Sequence, residues 1–349
     1  MSIPTRMTAV ELLGHGGPDL LRIRDNIPIP ELRADQVLIK VGASSVNNTD
    51  INTRTGWYTR ESSAGDTSWS GQGLQFPRIQ GADCCGRIIA VGAAVDASRI
   101  GERVLVRTMQ APEKLDGHLT PITLGSEIDG AFAQFIAVRA SEAFVVNSPM
   151  TDVELATFPC AYSTAEGLLT RAHVGAERIV VTGASGGVGS AVIQLAVLRG
   201  TQVIALASER HHDALLALGA EQVLDRNVDI VSALGESSVD AVIDVVGGSR
   251  FPDLLRVLRP QGRYATSGAV AGAEVRLDLR DLYLKDLTLL GCTFHPPEVF
   301  NALIANLETG RLRPLVADVY SLSDIHEAQE RFAAKDFVGK IALVPPPTD

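Results

Sequence analysis

Nine consecutive residues, Thr182-Gly183-Ala184-Ser185-Gly186-Gly187-Val188-Gly189-Ser190, have the composition of a phosphate cradle. Glycine at 186 lets the backbone approach a pyrophosphate, and glycine at 189 lets a following helix pack close to the preceding strand. The helix start then offers N–H groups and the positive end of its dipole to the anion. A second set of residues bears on which dinucleotide is bound. Proteins that bind NAD place an acid about 20 residues beyond such a turn, where it grips the ribose 2′-hydroxyl. Here Ser208 stands 19 residues beyond Gly189, followed by Glu209 and Arg210. A hydroxyl with a guanidinium nearby suits a 2′-phosphate. The expected cofactor is therefore NADPH, held by Ala184, Ser185, Gly186, Gly187, Val188, Gly189, Ser208 and Arg210.

Such a cradle needs a strand to deliver it and a helix to leave it. Arg178-Ile179-Val180-Val181 is an apolar run of strand length, and Ala191-Val192-Ile193-Gln194-Leu195-Ala196 continues as a helix. Residues 201–207 read as the second strand. Residues 179–198 carry no charged side chain, a stretch long enough to suggest a membrane span. Four glycines at its centre (Gly183, Gly186, Gly187 and Gly189) would cost such a helix roughly 1 kcal/mol each. The other alternative, a strand–helix turn that binds nothing, loses weight once the second strand is in place.

The 349 residues suffice for roughly two domains. A hydrophobic fraction of 46% and a mean hydropathy of +0.15 describe a chain with a substantial core. A net charge of −10 and an isoelectric point near 5.2 argue against nucleic acid or an anionic membrane as partner. Met1–Arg6 leads into a mixed segment without a secretory apolar core. Cys84, Cys85, Cys160 and Cys292 form neither a disulfide framework nor a paired metal spacing. These features point to a cytoplasmic protein, in which the sequon Asn47-Asn48-Thr49 has no glycosylation role.

The first part of the chain has β character. Residues 36–41 alternate with period two, as do parts of 86–91 and 103–106, and glycines and prolines punctuate the runs. This suits a small barrel-like domain. From about residue 155 the rhythm becomes strand, helix, strand. Residues 179–181, 203–206, 222–224, 241–245 and 263–266 read as parallel strands, with helical patterns at 209–218 and 251–258 between them. Residues 288–291 read as a final strand. A helix around 299–307 then returns the chain to the first domain, which 339–344 would complete. Two irregular stretches, 59–75 with Trp69 and 110–128 with His118, have the composition of lids or loop tips.

Further landmarks are Gly81-Ala82-Asp83 with Gly86, Val91-Gly92, Gly101-Glu102-Arg103-Val104, Gly130-Ala131-Phe132-Ala133-Gln134, Ser163-Thr164-Ala165, Leu218-Gly219-Ala220 and Gly339-Lys340-Ile341. With the glycine-rich turn, they make the chain resemble the medium-chain dehydrogenase/reductases over nearly its whole length. The likeness is closest to their zinc-free quinone oxidoreductase and enoyl reductase branches. It implies an α/β protein: a GroES-like β-barrel domain at 1–154 and 297–349, and a Rossmann doubly wound parallel-sheet domain at 155–296. It also implies NAD(P)H as cofactor, with further contacts at Thr164, Val246, Gly268 and Lys340. Homodimers through the Rossmann sheet edge, here near 287–292, are implied as well.

The zinc branch of that family can be compared residue by residue. A catalytic zinc needs three protein ligands and one open position. Where zinc members have their first cysteine this chain has Asn47, and where they have histidine it has Ala82. Cys160 alone occupies a ligand position. Residues 107–125, where those members carry four structural cysteines, contain none. No metal is expected.

By the same resemblance, residues 47–58 line the nicotinamide pocket. Tyr58 matches a tyrosine that supplies a proton in enoyl-thioester reductases, while Asn52 stands where quinone reductases often carry an aromatic. The candidate catalytic residues are Tyr58, Asn52 and Asn47, with Asp50 as a structural carboxylate. His15, His118 and His295 receive no role. Without a metal, a conjugated C=C or a quinone is easier to reduce than an isolated ketone, because charge spreads onto an oxygen that neutral donors can hold. The expected activity is NADPH-dependent reduction of a small-molecule quinone or enone. The alternatives are an alcohol or aldehyde dehydrogenase and a non-catalytic NADPH-binding protein.

Overall fold

The structure, a computed structural model, describes residues 3–59, 73–110, 114–115, 118–119 and 121–348, without the side chains of 114, 115, 118 and 119. Trp69, most of the 59–75 segment and the His118 side chain thus lie outside the described residues. The chain divides into two compact units. One comprises Met1–Cys160, Ile304–Asp336 and Lys340–Asp349; the other comprises Ala161–Leu303 and Phe337–Gly339.

In the second unit, Ile179, Val180 and Val181 are fully buried. A parallel strand covered on both faces reads as an unbroken apolar run, which is why this strand shows in the sequence. Six strands lie in the spatial order Gln222–Asp225, Gln202–Ala207, Arg178–Val181, Val239–Asp244, Leu258–Thr266 and Thr288–Gly291. All neighbours are parallel. Counted along the chain, this is the order 3-2-1-4-5-6 of a doubly wound fold. Its direction of winding reverses beside Arg178–Val181, and ligands bind outside the carboxyl ends of the strands at such a point. Phe251, Leu254 and Leu255 of the helix Phe251–Val257 pack with Val180, Ile204, Val242 and Tyr264 in one core.

Several readings differ in detail; the strand read at 263–266 begins at Leu258, so the preceding helix ends at Val257. Residues 209–218 form a 3-10 turn, Glu209–His211, and then the helix His212–Ala217. The break comes at His211, which ends the 3-10 turn and caps the helix with φ −107° and ψ −1°. The fourth strand stops at Asp244, one residue early. The Asp244 carboxylate accepts the N–H groups of Val246 at 2.8 Å and Gly247 at 3.1 Å, which turns the backbone out of the ladder.

In the first unit, the ten-residue strand Gln36–Ser45 is the seam. It pairs antiparallel with Cys85–Val91, Phe135–Arg139 and Lys340–Val344. Alternation sends Val37, Ile39 and Val41 into one core with Ile88, Val104 and Ile136, and Leu38 into another with Met7 and Phe135. At its end, Ser45 lies opposite Ala342, and the Val46 N–H donates to the Ile341 carbonyl at 2.9 Å. This pairing brings Lys340 beside Asn47, from the far end of the sequence. The fold is therefore a GroES-like unit with a Rossmann-like unit. No helix among the described residues is long and apolar enough to cross a membrane.

Candidate active site

The glycine-rich turn sits at the carboxyl end of Arg178–Val181 and opens the helix Gly187–Val197, capped by Gly186. A Cβ at 189 would stand 2.3 Å from the Gly183 carbonyl oxygen and 2.7 Å from the Ala184 Cα, so only glycine fits. A Cβ at 186 would meet only the Gly183 oxygen, at 3.4 Å, and is otherwise open. The first N–H groups of this 11-residue helix have no intrahelical partner, which suits an anion. Gly183, at φ +58°, packs against Val246 and Val245, and Gly268 lies against the Val245 carbonyl. Turn, Val246 and Gly268 are thus gathered on one rim. Asp244 fixes that rim, accepting the hydroxyls of Tyr264 and of Thr182, the latter at 2.5 Å. The Gly339 N–H donates to the Ser185 carbonyl at 3.1 Å, a contact with the turn that the sequence reading missed. At the end of Gln202–Ala207, Ser208 is half-buried and Arg210 exposed. Thr164 is buried on the helix Pro159–Arg171.

In the first unit, Asn47 caps the helix Asn48–Thr55 and is buried. Its Nδ2 donates to Asp83 Oδ2 at 2.7 Å and to the Ser45 carbonyl at 3.2 Å. Its Oδ1 accepts from the Lys340 ammonium. Asp83 in turn accepts from the Cys160 N–H at 2.6 Å, the Ser45 hydroxyl and Lys340 at 3.0 Å. The resemblance implies a cofactor contact for Lys340. Its ammonium is buried, with Asp83 as its counterion. Asp50 accepts the Asn47 N–H at 2.8 Å and the Ala82 N–H at 3.1 Å. Burial pushes its carboxyl up to about 7, with Asp83 adding to the shift.

Tyr58 follows Gly56, which ends the same helix in left-handed geometry at φ +72°. The Asn52 amide donates to the Tyr58 oxygen at 3.3 Å, and the Tyr58 hydroxyl donates to Thr49 Oγ1 at 3.3 Å. Burial raises the Tyr58 phenol above its ordinary range, so it stays protonated at neutral pH. Of the three candidate catalytic residues, Tyr58 and Asn52 therefore meet. Asn47 lies in the adjoining cluster with its amide fully engaged. Thr49 and Ser45 escaped the sequence reading, since neither hydroxyl stands out from the polar segment around it.

Known proteins share this architecture. The family model described as Alcohol dehydrogenase GroES-like domain matches residues 33–149, and the one described as Zinc-binding dehydrogenase matches 187–309. Human quinone oxidoreductase is 29% identical over 353 residues, covering 97% of this chain and 98% of that one. The chloroplastic NADPH-dependent alkenal/one oxidoreductase of Arabidopsis thaliana is 28% identical, covering 99% and 81%. A solved Sinorhizobium meliloti structure, described as a 'putative alcohol dehydrogenase', is 46% identical, covers 99% and 98%, and has a TM-score of 0.92. The chain belongs to the medium-chain dehydrogenase/reductase superfamily. Within it, the chain falls in the quinone oxidoreductase-like branch and is an oxidoreductase.

Since one matching model of this superfamily carries zinc in its name, the donors deserve testing against that ion. At the zinc-ligand positions this medium-chain dehydrogenase/reductase offers an amide, Asn47, a methyl, Ala82, and a thiol, Cys160. A lone soft donor falls short of the three protein ligands that a catalytic zinc needs. The Lys340 ammonium already stands in the same cluster, on Asn47 and Asp83. This donor set does not fit zinc. Among the described residues, no three or more His, Cys, Asp or Glu side chains are grouped to hold a metal.

Proposed function

We propose that the chain reduces quinones and α,β-unsaturated carbonyl compounds by hydride transfer from NADPH, without a metal ion. What carries this assignment is a protonated Tyr58 hydroxyl held between Asn52 and Thr49, just beyond Asn47, whose amide oxygen takes the Lys340 ammonium where a zinc ligand would stand. The nicotinamide, when bound, supplies the hydride. The Tyr58 hydroxyl, turning from Thr49 Oγ1, donates a hydrogen bond to the acceptor's carbonyl oxygen as charge builds there; for an enone its proton passes to that oxygen, and water then reprotonates the phenolate. The Asn52 amide, which donates to the Tyr58 oxygen, holds the phenol in place. Asn47, with both amide groups engaged, positions the start of the helix Asn48–Thr55. The turn at Gly186–Gly189 receives the pyrophosphate. Exposed Arg210, with Ser208, favours the 2′-phosphate of NADPH, the cofactor named for the Arabidopsis relative.

The working form is a homodimer joined along Thr288–Gly291. That strand ends the six-stranded sheet, and Leu289 on it and Tyr283 and Leu284 before it are exposed. A reducing, cytoplasmic setting fits the four cysteines, all buried and none joined in a disulfide. The alternative of an alcohol dehydrogenase draws on the description of the Sinorhizobium relative. It requires stoichiometric zinc in the purified protein.

Tyr58→Phe tests the chemistry, because it keeps the ring and removes only the hydroxyl. With an enone the rate should fall by roughly 10²–10⁴-fold, the usual worth of a general acid. With a quinone the fall should be smaller, since the reduced product takes protons from water. Unchanged rates with both acceptors would exclude the hydroxyl from the reaction.

A further inference from the structure

Asp50, Asp83 and Lys340 are all buried, with residue exposures of 2% and 0% for the acids and 3% for the lysine. Two carboxyl groups share one ammonium, and the division is unequal. Asp83 receives Lys340, the Asn47 amide, the Ser45 hydroxyl and the Cys160 N–H. Among the described residues, Asp50 receives two backbone N–H groups and no cation. With both acids ionised, the enclosure would hold one uncompensated negative charge, which a buried site resists by taking up a proton.

We infer that Asp50 is a positioning residue of the proposed reductase: its carboxyl holds an exchangeable proton, and that proton sets the field felt by the Tyr58 hydroxyl. Asp50 adjoins Thr49, which accepts the Tyr58 hydroxyl at 3.3 Å. Its negative charge makes Tyr58 a weaker acid. Protonated, Asp50 leaves the Asp83–Lys340 pair neutral, and Tyr58 can meet the growing negative charge of an enolate. Ionised, it adds a negative charge that opposes the enolate. A protonated carboxyl keeps acceptor capacity for both N–H groups, so the helix cap survives in either state.

Asp50 changes charge near neutral pH. Burial places its carboxyl at about 7, Asp83 raises it and Lys340 lowers it. Cys160 and Tyr58 are pushed up by burial and stay neutral there. Arg54, on the same helix, donates to Gln329 at 3.0 Å and the Gly16 carbonyl at 2.7 Å. Lys335, exposed at its surface, donates to Asn48 at 3.0 Å and is lowered by partial desolvation and by Lys340, so Lys335→Gln serves as the control.

This inference rests on the reductase assignment for its kinetics, whereas the proton itself can be seen without turnover. In the unmodified protein carrying [γ-¹³C]aspartate, one carboxyl resonance should titrate between about pH 6 and 8, and Asp50→Asn should remove it. Enone turnover should fall several-fold across that range, as ionisation of Asp50 makes Tyr58 a weaker acid. The fall should vanish in Asp50→Asn and persist in Lys335→Gln. Lys340→Met, which removes the lowering cation, should move the fall to higher pH. If every aspartate carboxyl titrates below about pH 5.5, the inference is overturned, whatever the acceptor. If the resonance titrates but Asp50→Asn keeps the same pH profile, the link to Tyr58 is overturned.

Discussion

Two glycines of the same turn should fail in different ways when each gains one methyl group. At Gly186 the backbone lies at φ −73° and ψ 169°, which any residue adopts, and a Cβ would meet only the Gly183 oxygen at 3.4 Å. Gly186→Ala should therefore cost the free protein no more than about 1 kcal/mol, the loss of a better helix cap. The methyl would, however, stand where a pyrophosphate must approach the backbone. NADPH should bind at least about tenfold more weakly, or roughly 1.4 kcal/mol. At Gly189 the added Cβ would lie 2.3 Å from one backbone atom and 2.7 Å from another. Gly189→Ala should then destabilise by about 1–3 kcal/mol from overpacking, offset by up to about 1 kcal/mol of helix propensity. Urea unfolding measures the stabilities, and quenching of protein fluorescence by NADPH measures the affinities. If Gly186→Ala binds NADPH as tightly as the unmodified chain, the turn does not cradle the cofactor. If Gly189→Ala is equally stable, the turn relaxes in a way that the distances deny.

Arg210→Ala should weaken NADPH by about 1–3 kcal/mol, the range for a lost hydrogen bond to a charged group, and hardly change NADH. Equal losses in calorimetric titrations would mean that Arg210 does not read the 2′-phosphate. Lys340→Met strands Asp83 as a buried charge and should cost about 3–5 kcal/mol in urea unfolding, with the added Asp83→Asn change recovering part of it. Asp50 is raised from 3.8 to about 7 on folding, so the folded chain binds its proton more tightly than the unfolded one. The resulting stability is full below pH 3.8 and is lost as pH rises to about 7. Asp50→Asn should flatten that decline by on the order of a few kcal/mol, and an unchanged pH dependence of the urea midpoint would place the cause elsewhere.

The glycine turn and its strands were legible because their signals are local. An apolar run such as Ile179-Val180-Val181 marks a doubly covered strand, and glycine at 189 is forced by atoms five and six residues away. The residues around Asn47 were legible only by resemblance. Their arrangement depends on Lys340–Val344 pairing with Gln36–Ser45, a contact made across most of the chain. A lysine in a Gly-Lys-Ile run reads as a surface cation or ligand contact, and nothing beside it announces burial against Asp83. The same holds for Gly339, whose N–H meets Ser185 only once the chain has folded. The hydroxyl of Thr49 is ordinary in sequence and acquires meaning from the turn at Gly56 that brings Tyr58 back to it.

The most direct test of the proposed activity follows a label. The protein, treated with a strong chelator and shown by elemental analysis to be free of zinc, is given NADPH carrying deuterium at the transferable C4 position and a simple enone. Mass spectrometry and NMR of the product should find deuterium on the β-carbon, at a rate unaffected by the chelator and greatly reduced in Tyr58→Phe. Deuterium at a carbonyl carbon, or activity that chelation removes and zinc restores, would contradict the account and favour an alcohol dehydrogenase.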